Sequence, residues 1–293
     1  MKSFNYLHLG ATLFIPASHL NLQSIVSGEK YPALKSLVID FEDGLEEEDF
    51  DISMQSMDKI LQKIQLDTPL VFIRAKNVQH LSQLLKLRNI TKITGFVLAK
   101  FSLVNARSYL DLLKETKYLL MPSVEGEELF NHAKLHELKE LISACRDKVL
   151  LVRFGLEDML KHLSMRRRCD ESIFDFSATS SVLGNFIATF KSAGFSVSGG
   201  VYPCFKDTKG FIKDVKRDIK EGLFSKTIIH PNQIQVINEL YKVSKEEYEE
   251  ALDIVSSDKK VFNQNEKMAE TLTMYSYSKE LIQRVKIYGI KVQ

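Results

Sequence analysis

Two acidic residues stand just behind short apolar runs. Glu125 follows Tyr118–Ser123, and Asp158 follows Val149–Phe154. Carboxylates on successive segments suit a hard cation such as Mg2+, which takes one or two protein carboxylates and fills its shell with water and substrate oxygens. The same two acids would also serve as caps, satisfying backbone N–H groups at helix starts. Other runs end in charge as well: Asp40, Glu42 and Asp43 close one, Arg74 another, Lys100 a third, and His230 the last. Arg74 and Lys100 can hold an anionic substrate or a developing enolate, the arginine in bidentate fashion. An internal ion-pair network with Asp40, Glu42 and Asp43 explains them equally well.

What must position these groups is a series of strand candidates: Thr12–Pro16, Ser36–Phe41, Leu70–Arg74, Gly95–Ala99, Tyr118–Ser123, Val149–Phe154, Phe195–Val201 and Thr227–His230. Several are continuous apolar runs, the pattern of strands buried on both faces in a parallel sheet. Helical patterns separate them. Met54–Ile64 carries Met57, Ile60, Leu61 and Ile64; Val78–Leu87 carries Leu81, Leu84 and Leu85. Thr208–Leu223 aligns Phe211, Val215, Ile219 and Leu223, with Gly222 as a stop. The alternation predicts an α/β protein, a (β/α)8 TIM barrel, whose functional groups lie at the C-terminal strand ends. An open doubly wound sheet is the rival, but the first strand runs into Ile15-Pro16-Ala17-Ser18 without a GxGxxG turn. Residues 1–243 form the predicted barrel. Residues 244–293 are a predicted helical extension, a lid or subunit-contact segment. It opens on the capping box Ser244-Lys-Glu-Glu247, runs to about Ser256, crosses a polar stretch and ends in a helix near Ser276–Tyr288 before Gly289.

Composition narrows the function classes. The chain has 293 residues, 44% hydrophobic, which excludes wholesale disorder. Its net charge of +2 gives no reason to expect nucleic acid or an anionic membrane as main partner. No apolar run is long enough for a spanning helix, and the first ten residues lack the features of a signal peptide, so a cytoplasmic location is expected. Cys145, Cys169 and Cys204 form no CxxC pair and are expected to be reduced thiols. Arg166-Arg167-Arg168 reads as a solvated basic loop or a phosphate contact. Gly199-Gly200 reads as a tight turn or a backbone phosphate site. His230, in His-Pro-Asn-Gln, reads mainly as a hydrogen-bonded strand stop.

Seven motifs then occur in a telling order: Leu13-Phe-Ile-Pro16, Val38-Ile-Asp-Phe-Glu-Asp-Gly-Leu45, Ile73-Arg-Ala-Lys-Asn77, Gly95-Phe-Val-Leu-Ala-Lys100, Val124-Glu125, Phe154-Gly-Leu-Glu-Asp158 and Ile229-His-Pro-Asn-Gln-Ile234. From about Leu13 to Tyr288 the chain resembles the citrate lyase beta subunit-like group of the HpcH/HpaI aldolase superfamily, in a divergent C–C bond lyase branch. The resemblance implies a TIM barrel with Mg2+ held by Glu125 and Asp158, and Arg74 polarising a substrate oxygen. It implies that Glu42 and Asp43 support the metal waters and the arginine, and that backbone amides of Gly155, Leu156 and Glu157 receive a substrate carboxylate. It further implies a homotrimer or a multiple of one. In such an assembly Glu270, in Asn265-Glu-Lys-Met-Ala-Glu270, comes from a neighbouring subunit as base or acid.

The implied activity is a lyase or aldolase reaction on a small hydroxy or oxo acid, or its acyl thioester, through a metal-stabilised enolate. Such cleavage needs a base on a hydroxyl and a sink for charge on oxygen. A metal and an arginine supply the sink without a Schiff-base lysine, although Lys100 is available as one. The coenzyme A elements of the group are missing. Ala17-Ser-His-Leu-Asn21 has no arginine, Phe176-Ser-Ala-Thr-Ser180 lacks the usual Ala-Arg pair, and Ser198-Gly199 replaces an aspartate. Three other functions therefore stay open: a non-catalytic barrel subunit of a larger complex, phosphoenolpyruvate-type chemistry, and thioester hydrolysis on the same metal site.

Overall fold

The computed structural model describes residues 4–65 and 68–292, so the first three residues of the N-terminal segment read above lie outside it. The chain divides into two compact units, Met1–Ile234 and Gln235–Gln293.

In the first unit seven parallel strands form one sheet in the order β6-β5-β4-β3-β2-β1-β7. They are β1 (Gly10–Pro16), β2 (Ser36–Asp40), β3 (Leu70–Ala75), β4 (Gly95–Leu98), β5 (Leu119–Val124), β6 (Arg153–Phe154) and β7 (Ser225–Ile228). Helices α1 (Leu22–Val26), α2 (Phe50–Leu61), α3 (Val78–Leu84), α4 (Ala106–Leu113), α5 (His132–Ser143), α6 (Leu156–His162), α7 (Ser177–Ser192) and α8 (Thr208–Lys220) connect them. Leu37, Val38, Ile39, Phe72, Ile73 and Phe96 are fully buried, as strands covered on both faces require. The predicted helices at 54, 78 and 208 are present. Gly222 ends the last of them with φ +71°, a left-handed conformation that favours glycine.

The expected strand Phe195–Val201 is a correction. It makes only isolated bridges, Val152 with Val197 on one side and Gly199 with Lys226 on the other. These bridges join β6 to β7 and complete the barrel. Ser196, Ser198 and two glycines have little strand propensity, and the segment is held by side-chain charge as well. Lys226, fully buried, donates to Asp214 at 2.7 Å, Asp218 at 2.5 Å and the Gly200 carbonyl at 2.8 Å. A Cβ on Gly199 would stand 2.2 Å from Asp218 Oδ2, and one on Gly200 would stand 2.5 Å from Leu156 Cδ1. The glycine pair is there for close packing. Lys226→Met would leave two buried carboxylates without their cation. We expect a loss of about 3–5 kcal/mol of stability, measured by urea unfolding.

Two loop readings also change. Arg167 is buried, pairing with Asp214 at 3.2 Å and donating to the Val201 carbonyl at 2.8 Å, whereas Arg166 and Arg168 are exposed as a solvated loop requires. Cys169 and Cys204 form a disulfide with Cα atoms 5.6 Å apart, while Cys145 is free. The two cysteines are 35 residues apart in sequence, and no spacing rule joins them. The fold does so by bringing the chain after α6 against the chain before α8, where the Tyr202 hydroxyl donates to the Cys169 carbonyl.

His80 is buried in α3, its ring edge-on to Phe41 and Phe50 at 4.8 and 4.6 Å. Burial, with help from Lys76, lowers its pKa to about 4. The unfolded chain takes up this proton near pH 6.5, before the native protein does. His80 therefore contributes stability above pH 6.5 that is lost as pH falls through 4. His80→Phe should remove roughly 1–3 kcal/mol of the acid-side loss, read as a smaller shift of the denaturant midpoint between pH 7 and pH 4.

The second unit contains most of α9 (Asn232–Leu240), then α10 (Lys245–Ser256), β8 (Val261–Gln264), β9 (Lys267–Glu270) and α11 (Thr271–Tyr288). The capping box is formed, with the Ser244 hydroxyl accepting from Glu247 N–H and Glu247 reaching back to Ser244 N–H. The helix expected near Ser276 starts earlier, at Thr271, and ends as expected at Gly289. The expected polar stretch is an antiparallel hairpin whose turn, Asn265-Glu266, has both residues at positive φ. Val243, Ala251 and Leu281 form the core of this unit. No described helix is long and apolar enough to cross a membrane.

Candidate active site

A cleft of about 520 Å3 opens at the C-terminal ends of the strands. Phe14, Asp40, Arg74, Val97, Ser123, Glu125, Arg153, Asp158 and Thr227 are among the residues lining it, so all seven strands of the sheet converge there. The parallel register sets the rim. Asp40 is paired with Arg74 across β2 and β3, and Ser123 with Arg153 across β5 and β6.

Arg74 anchors one wall. Its Nε and Nη2 donate to the two Asp40 oxygens at 2.6 and 2.7 Å, a fork-to-fork pair. Asp40 is fixed in turn by the backbone N–H groups of Glu42 and Gly44. Arg74 Nη1 lies 2.8 Å from Glu42 and 3.4 Å from Asp43. Lys100 donates to Glu42, and to Asp43 at 3.2 Å. The ion-pair network expected among these residues is formed. Burial tends to lower the Arg74 and Lys100 pKa values, but the carboxylates around them outweigh it and raise both. Glu42 is pushed up by burial despite Arg74 and Lys100. Burial acts the same way on Asp43, but Glu42, Arg74 and Lys100 overcome it and hold its pKa low. Lys100 adopts φ +47°, a conformation that costs a non-glycine residue energy and that its surroundings must enforce.

Glu125 and Asp158 share the cleft and feel each other's charge. Burial pushes the Glu125 carboxyl up to about 7. The Ser123 hydroxyl pulls it down, Glu42 pushes it up, Arg74 pulls it down and Asp158 pushes it up. One Glu125 oxygen, Oε2, is buried without a hydrogen-bond partner. Such an orphaned oxygen beside a second carboxylate fits a cation. Among the described residues no three His, Cys, Asp or Glu side chains are grouped to hold a metal. Two carboxylates suit Mg2+, whose remaining positions go to water and substrate.

Gly155 has a role the sequence did not show. A Cβ there would stand 2.2 Å from Glu125 Cγ, so only glycine lets β6 pass this close to the glutamate. Its amide is already donated to the Val124 carbonyl at 3.0 Å, leaving Leu156 and Glu157 as the amide donors at the start of α6. Gly155→Ala should displace Glu125 and weaken Mg2+ binding about tenfold or more, as losses around a ligand do, by calorimetric titration. Sequence reasoning also missed Arg153, buried in β6 and facing the cleft. An arginine inside the run Val149–Phe154 was the available signal. His230 is a strand stop as read, with Gln233 accepting from the Ile229 and His230 N–H groups. Glu270, in the second unit, is half-buried at the end of β9 and start of α11.

A family model for C–C bond lyases of the TIM-barrel fold matches residues 3–290. The chain belongs to this family. Its fold is shared with a citrate lyase from Burkholderia xenovorans LB400, at 17% identity and TM-score 0.74, covering 97% of this chain and 94% of that one. It is shared too with the protein CitE from Mycobacterium tuberculosis, solved with magnesium, acetoacetate and coenzyme A, at 17% identity and TM-score 0.68, covering 94% and 98%. A (3S)-malyl-CoA thioesterase of Cereibacter sphaeroides is 32% identical over 95 residues. That match spans 32% of this chain and 32% of the relative, so the chain aligns with about a third of the curated relative's length. The family model agrees with the fold and family that the seven motifs imply, and the solved neighbours agree with the fold.

Proposed function

We propose that this C–C bond lyase family member is a Mg2+-dependent enzyme that cleaves or forms a carbon–carbon bond beside the carbonyl of a small hydroxy or oxo acid, or its acyl thioester. The observation that carries this reading is Glu125: buried, with one oxygen unpartnered, in the same cleft as Asp158 and Arg74. Glu125 and Asp158 would hold Mg2+, which when bound acts as a Lewis acid on a carbonyl oxygen. Arg74, held by Asp40, stabilises negative charge on the substrate oxygen with the donors its five-donor fork has left over. Glu42 and Asp43 keep that guanidinium in place. A Schiff-base role for Lys100 would need a neutral amine, and two carboxylates beside it favour the ammonium. Leu156 and Glu157 amides at the start of α6 receive a substrate carboxylate. Glu270, brought by a neighbouring subunit of a homo-oligomer, moves the proton.

Thioester hydrolysis is the second reading, favoured by the malyl-CoA thioesterase match. Pyruvate, oxaloacetate, glyoxylate and phosphoenolpyruvate should be screened for thermal stabilisation with and without Mg2+. The β-hydroxyacyl thioester whose cleavage would release a bound 2-oxo acid and an acyl thioester is then tested for products. Two carbon fragments support the lyase, whereas a free thiol with the acid skeleton intact supports the hydrolase. If none of these acids stabilises the protein in a Mg2+-dependent way, both readings fail.

A further inference from the structure

We propose that Arg153 binds a second carboxylate of the substrate, so that the cleft selects a dianionic acid over a monoanionic one. The inference rests on the cleft being the substrate site and adds a residue and a specificity to it.

Each of the other buried cations in this unit has a counter-charge. Arg74 has Asp40 and Glu42, Arg167 has Asp214, and Lys226 has Asp214 and Asp218. Arg153 is 3% exposed, and its contacts are neutral. It donates to the Thr227 hydroxyl, its Nη1 lies 3.6 Å from Met121 Sδ, and its guanidinium sits 4.9 Å from the Phe14 ring centroid. Among the described residues it has no ion-pair partner. A buried guanidinium without a carboxylate is costly to keep, and it lines the cleft, where a ligand can reach it.

Arg74 lies over the same Phe14 ring, 5.3 Å from its centroid. One phenyl ring therefore carries two guanidiniums, one held in place by carboxylates and one with no ion-pair partner among the described residues. A planar guanidinium takes a carboxylate through two parallel N–H bonds. The cleft, at about 520 Å3, has room for a small diacid. Burial pulls Arg153 down to about 9, helped by Arg74 and opposed by Glu125, so near pH 7 it is still largely protonated and able to pair.

The test compares succinate with butyrate, equal in carbon number and differing by one carboxylate, by calorimetric titration. It is run with and without Mg2+ on wild type, Arg153→Met and Arg153→Lys. Wild type is expected to bind succinate at least tenfold more tightly than butyrate. Arg153→Met should remove that preference while leaving butyrate affinity within twofold, and Arg153→Lys should restore part of it. If Arg153→Met does not fold, Thr227→Val serves instead: losing the hydroxyl that orients the guanidinium should weaken succinate about threefold and spare butyrate. Equal affinities in wild type, a preference that survives Arg153→Met, or a succinate affinity left unchanged by Thr227→Val would overturn the assignment. Loss of the Mg2+ effect with the succinate preference intact would count against the metal reading and leave Arg153 standing.

Discussion

Glu125→Gln should abolish Mg2+ binding and lower turnover by on the order of 10³-fold, the several kcal/mol that a Lewis acid contributes to a developing charge. Glutamine has the shape of glutamate, so the packing against Gly155 survives and the effect isolates charge. It also replaces a hard anionic oxygen with an amide, a poor ligand for Mg2+. The folded protein should not suffer. Burial has already raised the Glu125 carboxyl to about 7, so near neutral pH its charge is a burden to the metal-free fold. Thermal unfolding without metal is therefore expected to be unchanged or to rise slightly, while calorimetric titration with Mg2+ loses its signal. Wild-type affinity for Mg2+ in the variant would remove the basis of the proposed chemistry. Asp158→Asn provides a second, independent reading of the same site.

Arg74→Lys should lower kcat by about 10²–10³-fold, the usual cost of losing a preorganised oxyanion donor. Charge is kept in this variant and geometry is lost. Arg74 grips both oxygens of Asp40 with parallel bonds, which a lysine ammonium cannot reproduce. Stability should fall by about 1–2 kcal/mol as charge-assisted hydrogen bonds are lost. Binding of the substrate acid should change less than kcat, because the arginine is needed most when charge accumulates on oxygen. Measuring kcat and KM with the unfolding midpoint separates a catalytic role from a merely structural one. A kcat within threefold of wild type would confine Arg74 to the ion-pair network.

Much of the fold was legible because parallel strands buried on both faces write themselves as apolar runs. Ser36–Asp40 and Leu119–Val124 are such runs, and the acids and bases behind them do converge on one cleft. The features that escaped depend on partners in other elements. Arg153 and Lys226 both sit inside strands, where a cation contradicts the apolar pattern. What each one meets is decided by other elements: Thr227 and Phe14, far along the chain, for the first, and Asp214 and Asp218 on α8 for the second. The Cys169–Cys204 bridge is of the same kind. The hairpin at Asn265-Glu266 was hidden for a local reason, since glutamate at positive φ stands where glycine would have announced the turn. Lys100 was legible as a charged strand end, but its choice between substrate and network depended on the reach of Glu42 and Asp43.

The seam between β6 and β7 bears on how the protein is made. β1 finds its second neighbour only in residues 225–228, and the ion cluster that closes the ring draws on α8 and β7. A ribosome that has released the first two hundred residues has therefore delivered a sheet with two open edges and a cleft still incomplete. Unpaired parallel edges invite association with other chains. The nascent protein carries that exposure until Lys226 emerges, and chaperone engagement should be concentrated in this interval of synthesis.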